Sequence, residues 1–77
     1  MKKVVIYSTP TCPFCIRVKQ FMRENDIAFE DIDVSANPEK AQEMIKISGQ
    51  MGVPVIYIDG EIVVGFDKER IKELLGF

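Results

Sequence analysis

The feature that most constrains this chain is the segment Cys12-Pro13-Phe14-Cys15, which contains its only two cysteines. The segment follows a β-branched and aromatic run at residues 3–7 and a short polar loop. Such a run predicts a central strand that is buried on both faces. Pro13 suits the first turn of a helix, where its missing N–H has no partner to lose. We therefore expect the cysteines at the point where a central strand passes into a helix.

The rest of the chain alternates between helical and strand patterns, separated by short breaks. The order β-α-β-α-β-β-α predicts an α/β fold with a four-stranded mixed sheet flanked by three helices. A helical crossover makes the first two strands parallel, and a two-residue turn makes the last two a hairpin. The predicted elements are a strand at 3–7, a helix at 13–25, an edge strand at 28–34, a helix at 38–48, strands at 55–58 and 61–64 joined by Asp59-Gly60, and a last helix that begins after Asp67. Asn37 and Gly49 are expected to cap the second helix, whose inward face carries Ala41, Met44, Ile45 and Ser48. Asp67 is expected to cap the last helix, with Phe66 packing against Ile71.

Composition narrows the function classes. The 77 residues suit a single domain, 1–77, which we expect to be a monomer. Charged residues make up 29% of the chain and the net charge is −2, so neither nucleic acid nor an anionic membrane is an expected partner. No apolar run approaches the roughly 20 residues that span a bilayer, and the apolar start is too short for a signal peptide. We expect a cytoplasmic protein. The chain has no histidine, which excludes Cys–His catalysis and histidine-based metal sites.

Three roles for the cysteine pair fit the sequence poorly. A disulfide that closes so short a loop removes little entropy from the unfolded chain, about 2 kcal/mol, and structural disulfides are rare in the cytosol. Zinc and iron–sulfur centres usually need four ligands, so a metal site would have to be shared between two chains through Cys12. Burial as inert core residues suits Cys15, which lies on an apolar helix stripe, but not Cys12, which lies in a loop.

A redox dithiol explains the pair better. A Cys-x-x-Cys beside a βαβ pattern is the sequence form of a thioredoxin-like active site. Cys12 at the helix N-terminus would meet unpaired N–H groups and partial positive charge, which lower a thiol pKa. Cys15, one turn into the helix, would keep a more ordinary pKa. We therefore expect Cys12 to attack a disulfide and Cys15 to resolve the mixed disulfide. Arg17 and Lys19 are expected to be solvated surface charges, and Phe14 an outward contact for a partner.

The motif CPFC after a strand, followed by GVPVIYIDGEIVVGFD, resembles the glutaredoxin family of the thioredoxin superfamily. The resemblance implies a thioredoxin-like fold, a dithiol oxidoreductase that needs no bound cofactor, and disulfide-containing protein substrates. It implies that Val53-Pro54 is a cis pair facing the dithiol, and that Gly65-Phe66-Asp67 contacts the far end of glutathione. Together with residues around the first cysteine, the implied substrate-binding set is Thr11, Pro13, Phe14, Val53, Pro54, Gly65, Phe66 and Asp67.

The sequence departs from the glutaredoxin pattern where glutathione would bind. Thr9 stands where many members carry a lysine that binds the glycine carboxylate of glutathione, and Gly52 stands where Thr often precedes Val-Pro. The Gly65-Phe66 pair resembles the redoxins that serve ribonucleotide reductase and take electrons from thioredoxin reductase. The reductant implied by the resemblance is therefore either glutathione or a thioredoxin-reductase-type flavoprotein.

Overall fold

The computed structural model describes residues 3–50 and 52–76, which form four strands and three helices in the predicted order. The elements are β1 (Val4–Ser8), α1 (Pro13–Glu24), β2 (Glu30–Asp33), α2 (Pro38–Ser48), β3 (Val55–Ile58), β4 (Glu61–Val64) and α3 (Lys68–Leu75). The largest difference from prediction is β2, which is shorter than the alternating segment 28–34. Within the described ranges, no helix has the length and apolar character that a membrane crossing requires.

The sheet is mixed and has the strand order β2-β1-β3-β4. β1 pairs parallel with β2 and antiparallel with β3, and β3 pairs antiparallel with β4. All five residues of β1 are buried, whereas β2 begins with two exposed residues. These observations confirm the central first strand, the edge position of β2 and the α/β thioredoxin-like fold.

Alternation along the strands divides the apolar side chains between two cores. Val4 and Ile6 face α1 and α3, and Val5 and Tyr7 face α2. The first core comprises Val4, Ile6, Val18, Phe21, Met22, Ile56, Ile58, Val63 and Ile71. The second core is smaller and comprises Val5, Tyr7, Met44 and Val55. The helix that carries the cysteines therefore packs on the larger core.

Capping residues fix where α2 begins and ends and where α3 begins. The Asn37 side chain accepts the Lys40 N–H at the start of α2, and the Asp67 side chain accepts the Arg70 N–H at the start of α3. Gly49 ends α2 in the left-handed conformation, with φ of 75°, which glycine adopts without a Cβ clash. The structure confirms these predicted caps.

Two side chains lie elsewhere than predicted. Ile45 was expected to face inward, but it is 36% exposed, because α2 meets the sheet through Met44 and Ile45 is one residue further round the helix. Lys19 was expected to be a solvated surface charge. Its side chain is only 14% exposed, and its Nζ lies 3.0 Å from Asp31 Oδ2. The pairing arises because this flank of α1 faces the edge strand β2.

The packing of α1 predicts a large difference between two of its apolar residues. Met22 is fully buried in the first core, and Ile16 is 54% exposed. Met22→Ala should lower the free energy of unfolding by about 2–5 kcal/mol through lost burial and a residual cavity. Ile16→Ala, the control on the same helix, should change it by less than about 0.5 kcal/mol. Urea unfolding followed by circular dichroism measures both, and equal losses would contradict the assigned packing.

Candidate active site

Cys12 is the N-cap residue of α1. Its backbone is extended, with φ of −82° and ψ of 117°, and Pro13 occupies the first helical position. The Cys15 N–H donates to Cys12 Sγ at 3.3 Å, so the sulfur takes the role that an oxygen has in most helix caps. A sulfur in this position lies at the positive end of the helix dipole, where negative charge is stabilised.

The two thiols differ in their exposure although they lie one helical turn apart. Cys12 is partly exposed, whereas Cys15 is fully buried beside the first core. A disulfide from another molecule can therefore reach Cys12 but not Cys15. Cys15 is instead placed to react with the Cys12 sulfur, one helical turn away.

The pKa values of the two thiols are shifted in opposite directions. Burial raises the pKa of Cys12, but hydrogen bonds from the Cys15 thiol and from the Cys15 and Phe14 N–H groups, together with the charge of Lys19, lower it below the ordinary value. Burial is also the main cause that raises the pKa of Cys15, to about 11, and the neighbouring Cys12 adds to the rise. Of the two thiols, Cys12 is therefore the one that ionises first as the pH rises.

The loop before β3 closes the site from the opposite side. The peptide bond between Val53 and Pro54 is cis, as the family resemblance implies. The Cys12 thiol donates to the Val53 carbonyl at 3.8 Å. The Pro54 carbonyl accepts the Gly65 N–H at 2.9 Å. These contacts connect the cysteine loop, the proline loop and the end of β4 into one continuous surface.

The Gly65-Phe66-Asp67 segment lies at the far end of this surface. Gly65 has a φ of 77°, which turns the chain from β4 toward α3. Phe66 packs against the first core, with its ring centroid 5.8 Å from that of Phe21. The Asp67 carboxylate accepts the Arg70 N–H and caps α3. Phe66 thus contributes to packing and Asp67 to capping, while the Gly65 backbone lies next to the proline loop.

The remaining predicted site residues form an exposed rim on the other side of Cys12. Thr11 and Pro13 are exposed, and Phe14 has 54% of its surface accessible. The Arg17 guanidinium lies 5.6 Å from the centre of the Phe14 ring, a cation–π distance. As predicted, Phe14 points outward, and Arg17 is exposed.

Ser8 and Asp31, which the sequence analysis does not single out, form a hydrogen-bonded group with Lys19, which it expects only as a solvated surface charge. Ser8, at the end of β1, is 1% exposed, and its Oγ donates to Asp31 Oδ1 at 2.9 Å. The other Asp31 oxygen accepts from Lys19 Nζ at 3.0 Å. The spacing of Cys15 and Lys19, four residues apart on one helix face, was the available signal. The position of Asp31 was harder to predict from the sequence, because it depends on the register in which β2 pairs with β1.

A concavity lies on the other face of the sheet, away from the dithiol. It has a volume of about 260 Å³ and includes Tyr7, whose hydroxyl donates to Glu43 at 3.1 Å. Neither cysteine lines it. Among residues 3–50 and 52–76, no group of three or more cysteines or carboxylates is arranged to hold a metal ion.

Sequence comparisons place the chain among known proteins. The glutaredoxin family model matches residues 4–63. A protein of Clostridium pasteurianum, named as an uncharacterized glutaredoxin-like 8.6 kDa protein in the rubredoxin operon, is 46% identical over 72 residues. That match covers 94% of this chain and 96% of the relative.

Solved structures of a glutaredoxin and of a glutaredoxin-like redoxin are also similar to this chain. The crystal structure of a glutaredoxin from Archaeoglobus fulgidus has a TM-score of 0.90 and 29% identity, over 100% of this chain and 89% of that one. The glutaredoxin-like protein NrdH-redoxin from Escherichia coli, described as having a thioredoxin-like activity profile, has a TM-score of 0.84 and 28% identity, over 94% of this chain and 93% of its own. Because the family model spans most of its residues, this chain belongs to the glutaredoxin family of thiol–disulfide oxidoreductases, within the thioredoxin superfamily.

Proposed function

We propose that this protein reduces disulfides in protein substrates by cycling between the Cys12–Cys15 dithiol and disulfide, and so carries electrons to a protein acceptor. The observation that carries the proposal is the contrast between an accessible sulfur at a helix N-cap and a buried thiol one turn behind it. The N-cap position lowers the pKa of Cys12, and burial raises that of Cys15. One thiol is therefore suited to attack and the other to resolution.

In the first step the Cys12 thiolate attacks one sulfur of the substrate disulfide. A bond forms between Cys12 and that sulfur, and the other substrate sulfur leaves as a thiolate. The N–H groups of Phe14 and Cys15 hold the attacking charge before the reaction. No proton has to be removed at that moment, which suits a chain without histidine.

In the second step Cys15 loses its proton to solvent, and its sulfur attacks Cys12. The Cys12–Cys15 disulfide forms, the bond from Cys12 to the substrate breaks, and the second substrate sulfur leaves with the electron pair. Two electrons have then passed to the substrate. One helical turn separates the cysteines, so the two sulfurs meet without large movement of α1.

Substrate binding is proposed on both sides of Cys12. The Val53 backbone would form strand-like hydrogen bonds with the chain of a bound substrate, supported by the contact between Val53 and Cys12. The exposed rim of Thr11, Pro13 and Phe14 would contact the substrate on the opposite side. Gly65, Phe66 and Asp67 would contact the far end of the substrate. The hydrogen bond from the Gly65 N–H to the Pro54 carbonyl supports this, because it joins that segment to the proline loop.

We propose that a thioredoxin-reductase-type flavoprotein regenerates the dithiol more efficiently than glutathione does. No bound cofactor is needed for either route. Thr9 gives glutathione no cation for its glycine carboxylate, and a charge-assisted hydrogen bond contributes about 1.5–3 kcal/mol. The similarity to a redoxin with a thioredoxin-like activity profile supports the same choice.

The division of roles predicts distinct defects in two serine variants. Cys12→Ser should abolish reduction of insulin disulfides, because no accessible thiolate remains. Cys15→Ser should react once and then stop as a mixed disulfide, which intact-mass spectrometry detects as an adduct on Cys12. The order of the two roles would be wrong if Cys15→Ser turned over normally, or if the adduct formed in Cys12→Ser.

The opposite pKa shifts predict selective alkylation. As pH rises, Cys12 should ionise below the ordinary thiol value, and Cys15 only toward about 11. Limited treatment with iodoacetamide at neutral pH should therefore modify Cys12 and leave Cys15 intact, because the thiolate is the reactive form. Peptide mass spectrometry after labelling at increasing pH measures both. Equal labelling at neutral pH in the folded protein would contradict the split.

The choice of reductant predicts a gain of function at position 9. Oxidised protein should be reduced faster by thioredoxin reductase with NADPH than by glutathione. Thr9→Lys should lower the KM for glutathione by about tenfold or more, because the restored charge-assisted hydrogen bond contributes about 1.5–3 kcal/mol, and should leave the thioredoxin reductase rate unchanged. Thr9→Gln, which adds length without charge, is the control. A similar gain in both variants would show that charge is not the missing element.

A further inference from the structure

Lys19 lies on the same side of α1 as the two cysteines. Cys12, Cys15 and Lys19 are separated by three and four residues, which aligns them along one helix face. The Lys19 side chain is only 14% exposed, although lysine is rarely covered unless its charge is paired. A lysine whose side chain is mostly covered therefore lies on the face of α1 that carries the cysteines.

A chain of hydrogen bonds holds this ammonium in place. Lys19 Nζ lies 3.0 Å from one Asp31 oxygen, and the buried Ser8 hydroxyl donates to the other at 2.9 Å. Asp31 pairs with Ile6 in the register of β1 and β2. The pKa of Asp33 on the same strand is lowered, chiefly by Ser35 and in part by Lys19. The ammonium is thus paired with the edge strand β2, and its charge acts to lower the pKa of both thiols.

The charge acting on Cys15 changes during the proposed cycle. In the free dithiol, the neighbouring Cys12 opposes ionisation of Cys15 both by hydrogen bonding and by charge. In the mixed disulfide Cys12 carries no charge, so this opposition is removed. Burial still opposes ionisation, while the Thr9 backbone and Lys19 favour it. Lys19 is then the positive side chain that assists the Cys15 thiolate.

We propose that Lys19 is a positioning residue for the resolving step, in which its ammonium, held by Asp31 and Ser8, stabilises the negative charge on the Cys15 sulfur as it attacks the mixed disulfide. Lys19 keeps its protons throughout, and the Cys15 proton passes to solvent. The bond from Cys15 to Cys12 forms as the bond from Cys12 to the substrate breaks, and the substrate sulfur leaves as a thiolate. This inference rests on the proposed Cys12–Cys15 cycle.

Ellman's reagent, a symmetrical aromatic disulfide, tests the proposal in the stopped-flow instrument. Wild-type protein should release one coloured thiolate when Cys12 attacks and a second when Cys15 resolves the adduct. Lys19→Gln should slow the second release by about threefold or more at neutral pH, since less of Cys15 is thiolate. The first release should change less, because the helix N–H groups still stabilise Cys12. Lys19→Arg should restore the second rate, and Lys46→Gln, an exposed charge-matched control on α2, should change neither.

The partner of the ion pair separates an electrostatic from a structural role. Asp31→Asn keeps an oxygen that accepts from Ser8 but removes the charge that opposes the ammonium, so it should speed the second release. If Lys19→Gln and Asp31→Asn both slow it, or if Lys19→Gln leaves it unchanged, the pair is structural and the proposal is overturned. Asp31→Asn and Lys19→Arg still decide the matter if Lys19→Gln does not fold. A wild-type protein that never releases the second thiolate would instead reject the cycle itself.

Discussion

The constraint on which the site depends is the set of unpaired N–H groups at the start of α1. Every helix begins with donors that lack intrahelical acceptors, and here the first side chain available to them is a sulfur. The Cys15 N–H meets Cys12 Sγ at 3.3 Å. A thiolate satisfies such donors better than a thiol, because it accepts hydrogen bonds more strongly. The requirement that caps the helix thus also makes Cys12 acidic.

Packing of α1 on the first core ties reactivity to stability. Val18, Phe21 and Met22 hold the helix against the sheet, and Cys15 is buried on the same helix. Burial disfavours the charged form of a thiol, so the contact that orients the helix also keeps Cys15 protonated. Substitutions that loosen α1 would alter the acidity of Cys15 as well as the free energy of unfolding.

Most of the fold was accessible to sequence reasoning because its signals are local. The caps at Asn37 and Asp67 and the turn at Asp59-Gly60 are each determined by neighbouring residues. The cysteine spacing likewise indicated the dithiol. Lys19 was misjudged because its surroundings depend on which residue of β2 lies opposite α1. The exposure of Ile45 depends on the angle and position at which α2 packs on the sheet. The pairing of Lys19 and the exposure of Ile45 both depend on residues that are distant in the sequence, so neighbouring residues do not predict them.

The Lys19 ammonium also bears on regeneration of the dithiol. In the oxidised protein a reductant reaches the accessible Cys12 sulfur, and Cys15 must then leave as a thiolate. A thiol with a raised pKa is a poor leaving group, so burial alone would make the Cys12–Cys15 disulfide slow to reduce. The charge assigned to Lys19 acts on the same sulfur in both steps, because Cys15 is a thiolate both when it attacks Cys12 and when it leaves it. On the proposed cycle, the Lys19–Asp31 pair therefore offsets the burial that keeps Cys15 out of reach of solvent.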